Sequence, residues 1–190
     1  MDEKPILEFT RKRLWTTWLN KNHDKSSGVW LRLAKKDSGL KSISRDEALD
    51  SALCYGWIDG QSRSEGELTW LQKFTPRAKR SIWSKINRVK VQALIDNGEM
   101  RPPGLGEIER AKNDGRWEAA YDSPKTITVP DELRSALDKN RKAKQFFETL
   151  DSRNRYAILF RIQTAKKPET REKRIRDFIS MLERGEKIHN

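Results

Sequence analysis

Cysteine is almost missing from this chain of 190 residues: Cys54 stands alone, which excludes an internal disulfide framework and fits a reducing compartment. Histidine is nearly as scarce. His23 and His189 are the only two, one in a polar break and one near the end of the sequence, so no convergent His/Cys metal set can be drawn. No run of 18 apolar residues occurs, which excludes a membrane-spanning helix, and residues 1–9 contain no apolar signal core. The expectation is a cytoplasmic protein without membrane insertion. Walker loops, G-x-G-x-x-G fingerprints and G-x-S-x-G elbows are also lacking, and Gly104-Leu-Gly106 reads as the turn that starts a helix. There are no repeats and no low-complexity tracts. No cofactor and no metal are expected.

What is present is charge and tryptophan. Charged residues make up 36% of the chain and hydrophobic ones 35%, with seven Trp and six Phe, a polar surface over an aromatic-rich core. The net charge of +12 points to anionic partners such as nucleic acid, phosphorylated metabolites or a membrane surface. Basic residues concentrate once: Lys73, Arg77, Lys79, Arg80, Lys85, Arg88 and Lys90 follow one another with no intervening acid, and Phe74 and Trp83 sit among them.

The best-defined stretch is 42–61. Ser44 and Glu47 spell a capping box, Ile43 is placed to staple onto Ala48, and Gly56 supplies the left-handed residue that ends the helix. Trp57-Ile58-Asp59 leaves it as an extended run. Before it, residues 11–20 predict a helix, and the alternation from Val29 to Ala34 predicts a strand. After it, 57–63 and 67–74 flank Ser64-Glu65-Gly66 as a hairpin, closed by Pro76. A following helix is expected to bury Ile86, Val89, Ala93 and Leu94, and a shorter one runs through Ile108 and Ala111. The fold class expected is α+β. A small antiparallel three-stranded sheet with helices occupies 1–121, 122–130 is a linker with a Pro near each end, and a helical bundle fills 131–190.

Several short motifs resemble known sequences. Val129-Pro-Asp-Glu-Leu, Phe146-Phe147-Glu-Thr-Leu, Tyr156 and Ala165-Lys-Lys-Pro-Glu-Thr-Arg171-Glu-Lys-Arg174-Ile175 are similar to the bacteriocin-protection, YdeI/OmpD-associated family. Gly28-Val-Trp-Leu, Glu47-Ala-Leu, Leu53-Cys-Tyr-Gly-Trp-Ile-Asp59, Phe74-Thr-Pro-Arg77 and Ser81-Ile-Trp-Ser-Lys-Ile-Asn87 resemble the region that often accompanies it. The resemblance implies a role in bacterial envelope stress, protection from antimicrobial peptides and association with a porin. It implies no reaction and no cofactor.

The residue chemistry suggests a cleft. The hairpin brings Asp59 toward Thr75 and Arg77, and the helix that follows starts at the same end with its positive N-terminus. Tyr55, Trp57, Asp59, Thr75, Arg77, Lys79, Ser81, Trp83 and Asn87 are the candidate binding residues, with Asp59 fixing the Arg77 fork against an anion. The function expected is non-catalytic binding of an anionic small molecule or protein partner. One alternative is a nucleic-acid binder using the run 73–90, with Phe74 and Trp83 as stacking platforms; another is an enzyme with Asp59 as general base. Cys54, flanked by Leu53 and Tyr55 on a packed helix, is expected to be a buried small hydrophobe.

Overall fold

The computed structural model of the chain describes residues 4–190. The elements run β1 (Ile6–Glu8), α1 (Lys12–Asn22), β2 (Val29–Ala34), α2 (Arg45–Cys54), β3 (Trp57–Glu65), β4 (Thr69–Pro76), α3 (Lys85–Asp96) and α4 (Pro102–Asn113). Four helices follow: α5 (Asp131–Asp138), α6 (Arg141–Thr149), α7 (Ser152–Gln163) and α8 (Pro168–Glu183). They divide into two compact units, Met1–Ile82 with Asn87–Glu118, and Trp83–Ile86 with Ala119–Asn190.

In the first unit the sheet has the order β1-β2-β4-β3. The hairpin β3–β4 and the β2–β4 pair are antiparallel, as the alternation predicts. The expected three-stranded antiparallel sheet is nevertheless incomplete, because β1 adds a fourth strand parallel to β2, pairing Leu7 with Leu31. Three residues are too few to show alternation, so the sequence carries no signal for β1.

One sheet face is apolar. Val29, Leu31 and Leu33 point the same way as Phe74 and Trp57, and the two helices α1 and α2 supply Trp15, Leu19, Ala48, Ala52 and Leu53 to the same buried core. Each such large side chain removed from water contributes about 2 kcal/mol. The Trp15 ring meets Trp57 edge-on at 6.3 Å and Phe74 at 5.8 Å, and its Nε1 donates to the Ala48 carbonyl at 3.0 Å. The capping box of α2 forms as its spelling requires: Ser44 Oγ accepts from Glu47 N, and the Glu47 carboxylate accepts from Ser44 N at 2.8 Å. Gly104 of α4 lies flat on the end of α2. A Cβ there would stand 2.4 Å from the Cys54 carbonyl oxygen, so only glycine permits this approach.

The hairpin carries one irregularity. Between Asp59 and Ser62 the register of β3 against β4 slips by one residue. The bulge carbonyls of Gly60 and Gln61 are captured by the buried amide of Gln72, at 2.9 and 3.2 Å. Helix α3 corrects another expectation. It buries Leu94, as expected, and Val91, while Ile86, Val89 and Ala93 are exposed. Two stripes of apolar residues share this helix, and periodicity alone does not choose between them.

The second unit is helical. Leu133, Leu137, Ala143, Phe147, Ile158, Leu159, Ile162, Ile175 and Leu182 form its core, with Ile127, Phe146 and Phe178 packed beside them. Asn140 and Asp151 cap α6 and α7 through their side chains. Residues 83–86 join this unit through a bridge between Ser84 and Tyr121 and an ion pair between Lys85 and Asp122 at 2.9 Å.

Candidate functional site

Of the residues expected to form a cleft, Tyr55, Trp57, Arg77 and Trp83 are buried, and Asp59, Thr75, Lys79, Ser81 and Asn87 are partly or fully exposed. Trp57 is 1% exposed, Phe74 0% and Trp83 1%, so none of them offers a ring face to a ligand or a base. Trp57 Nε1 is committed to the His23 carbonyl at 3.1 Å, and buried Tyr55 reaches Asn20 Oδ1 at 3.4 Å. Trp83 belongs to the second unit, whereas Tyr55, Trp57, Asp59, Thr75, Arg77, Lys79, Ser81 and Asn87 belong to the first. Asn87 lies in the first turn of α3, and Thr75 faces Ile58 across the hairpin and packs beside Gly28. Lys79 and Ser81 lie in the loop before α3.

The expected bond between Asp59 and Arg77 gives way to other pairings. The Asp59 carboxylate is engaged by Arg45 of α2. Arg77 is buried and bound into its own loop: its N–H donates to the Gly56 carbonyl at 3.0 Å and its Nη1 to the Ile82 carbonyl at 3.2 Å. Arg116, also buried, holds the same loop through Nη1 to the Ser81 carbonyl at 2.7 Å, with Asp114 on its Nε at 2.7 Å. The charges of both arginines act on Glu107 of α4. Burial pushes that carboxyl above its ordinary range, while Arg110, which binds both of its oxygens, and then Arg77 and Arg116 pull it back. The cluster clamps a loop.

The basic run 73–90 is likewise dispersed. Lys73 lies 5.8 Å from the Trp30 ring, where Arg63 is also stacked at 4.6 Å. Arg77 is inside, and Lys85 pairs with Asp122. Arg88 donates to the Trp117 carbonyl at 2.9 Å, and Lys90 pairs with Asp50 at 2.9 Å. Lys73, Arg77, Lys85, Arg88 and Lys90 are thus each engaged within the protein, while Lys79 and Arg80 are exposed. Cys54 is buried, and burial pushes its thiol up to about 11. Among the described residues no group of three or more His, Cys, Asp or Glu is arranged to hold a metal ion. No helix of the described residues is long and apolar enough to cross a membrane.

The second unit contains a different site. A surface pocket of about 540 Å³ is lined by Pro124, Ser152, Arg153, Tyr156, Ala157, Phe160, Arg161 and His189. Its composition follows from helix geometry: Arg153, Tyr156, Ala157, Phe160 and Arg161 recur every three or four residues, so one face of α7 presents aromatic rings between two guanidinium groups. The rings are fixed. Tyr156 and Phe160 lie 5.7 Å apart, Tyr121 meets Phe160 edge-on at 4.9 Å, and Tyr156 Oη donates to the Asp122 carbonyl at 3.2 Å. The Asp122 carboxylate is occupied by Lys85 and by Gln163 at 2.5 Å. Burial opposes its charge, but those bonds and one from Thr126 bring its pKa below the ordinary value. Among the described residues neither Arg153 nor Arg161 is ion-paired with a carboxylate within 4.0 Å. None of the residues expected to bind lies in this pocket; the signal available in the sequence was the pair of arginines, Arg153 and Arg161, bracketing Tyr156 and Phe160 at helical spacing.

Fold and pocket together define a small α+β protein whose helical second unit carries a ligand-sized, cation-rimmed pocket. The chain belongs to the family described as "Domain of unknown function (DUF8412)", matched over residues 7–107, and residues 126–185 match the family model described as "Bacteriocin-protection, YdeI or OmpD-Associated". Pro124 and His189 of the pocket lie outside that second match. No curated protein and no solved structure matches the chain.

Proposed function

We propose that this chain is a non-catalytic binding protein for a small organic anion, held in the pocket on α7, and that it serves bacteriocin protection by binding that ligand. The observation that carries the reading is the pocket itself: about 540 Å³ of space with an aromatic floor and Arg153, Arg161 and His189 around it. That volume suits a metabolite-sized molecule. Rings at the floor favour an apolar or aromatic body, and the guanidinium forks favour a carboxylate, sulfonate or phosphate at its edge. The domain's description supplies the bacteriocin-protection setting.

The test is a fluorescence titration with 8-anilinonaphthalene-1-sulfonate, an aromatic anion, beside its uncharged relative N-phenyl-1-naphthylamine. The anion is expected to bind saturably and more tightly than the neutral probe. Arg153→Ala with Arg161→Ala should weaken the anion by about tenfold or more and leave the neutral probe nearly unchanged. Absence of saturation, or equal affinity in the double variant, would remove the proposal.

A further inference from the structure

The pocket has a wall that its helix does not provide. After α8 the chain turns at Gly185, whose N–H donates to the Leu182 carbonyl at 3.0 Å, and runs back so that His189 borders the pocket. Ile188 packs partly into the helical core on the way. What holds the last stretch is Asn154, which is 2% exposed and does not line the pocket. Its Nδ2 donates to the His189 carbonyl at 3.1 Å, and its Oδ1 accepts the His189 N–H at 2.9 Å. The second amide proton goes to Asp151 Oδ1 at 3.1 Å, the same oxygen that caps α7 through Asn154 N at 2.7 Å. Both amide protons and the carbonyl of Asn154 are therefore committed, and the donor and acceptor of His189 leave the amide only one orientation.

We infer that Asn154 is a positioning residue for the anion site: by gripping the main chain of His189 in both directions it fixes the imidazole as a third polar wall facing Arg153 and Arg161. The inference rests on the pocket reading above. A side chain is well suited to this task. An amide that bonds both backbone groups of one residue sets that residue's position and orientation much as a neighbouring strand would, while leaving the imidazole free to face the ligand. The helix supplies the floor and two cations, and the returning segment supplies the remaining side. The anchor couples the two, because Asn154 is one helical turn from both Asp151 and Ala157.

The experiment measures the dissociation constant of 8-anilinonaphthalene-1-sulfonate for the full chain and for His189→Ala, Asn154→Ala and the double variant at pH 7, together with their melting temperatures. His189→Ala should weaken the probe by about tenfold, Asn154→Ala by a similar factor, and the double variant by no more than either alone. An Asn154→Ala protein that melts earlier yet binds as the wild type does would show a merely structural role and overturn the inference. Independent, multiplying effects would overturn it too, as would an unaffected His189→Ala. If Asn154→Ala does not fold, Asn154→Asp, which keeps the acceptor and loses the donor, and a chain cut after Lys187 make the same comparison; both are expected to bind more weakly, and wild-type affinity in either rejects the inference. Loss of binding in the arginine variants alone, with Asn154 and His189 inert, would leave the pocket reading standing and remove only this one. Loss in neither set would remove both.

Discussion

Two buried side chains show how far a single residue can be read. Cys54 was legible: a lone thiol between Leu53 and Tyr55 at the end of a packed helix is enclosed, and burial carries its pKa from 9.0 to about 11. At pH 8 the native thiolate fraction is therefore about a hundredfold lower than in the unfolded chain. Labelling by a soluble disulfide reagent should be slow in the native state and accelerate as pH rises toward 11; native labelling at the unfolded rate would contradict the burial. Gln72 was not legible. In Leu71-Gln72-Lys73-Phe74 nothing distinguishes it from an outward polar residue, because its role depends on a bulge in a different strand. Replacing it with Leu leaves the Gly60 and Gln61 carbonyls without that donor. We expect Gln72→Leu to cost about 1–3 kcal/mol in urea unfolding, with the denaturant slope unchanged.

Among the elements, those with local punctuation were the ones the sequence disclosed. The capping box at Ser44 and the alternation at Val29–Ala34 each act within a few residues of themselves, and each appears where expected. What depends on a distant partner was hidden: β1 exists only because β2 lies beside it, and the buried side of α3 is chosen by what packs there. The Lys85–Asp122–Gln163 junction belongs to that second group, since it joins residues far apart in the second unit. Its pH dependence follows from the lowered pKa of Asp122. A carboxyl held below its ordinary value in the folded state contributes stability above the unfolded value of about 3.8, and that contribution is lost as pH falls through the lower folded value. Asp122→Asn should accordingly destabilise the chain by about 1–2 kcal/mol at pH 7, and the difference should shrink as acid protonates the folded carboxyl. A difference that persists undiminished in acid would point to packing instead of charge.

For the whole molecule, composition pointed to an anionic partner, whereas the pocket proposed to hold one is built from residues other than the run 73–90. Phe74 and Trp83 among lysines and arginines looked like platforms because sequence shows neighbours along the chain, whereas burial depends on which way each ring turns; both turn inward, as does Trp57 of the expected cleft. The pocket on α7 draws on three separate stretches, near 124, 152–161 and 189, and no motif spans them. The scattered partners of the 73–90 run lead to a prediction at this scale. Despite a charge of +12, random single-stranded oligonucleotides should bind only weakly in a fluorescence-anisotropy titration, with affinity falling steeply between roughly 50 and 200 mM salt. Tight, salt-resistant binding would require a surface other than the dispersed run. The bulge at Gly60-Gln61 finally bears on how copies of the chain behave toward one another. β3 has a sheet neighbour on one side only, and a straight outer strand of nine residues would be an open template for a second molecule to extend. The extra residue breaks that template in its middle, and the Gln72 amide holds the break in place. A small irregularity in one hairpin thus acts as a stop against polymerisation, guarding the concentrated protein from joining edge to edge.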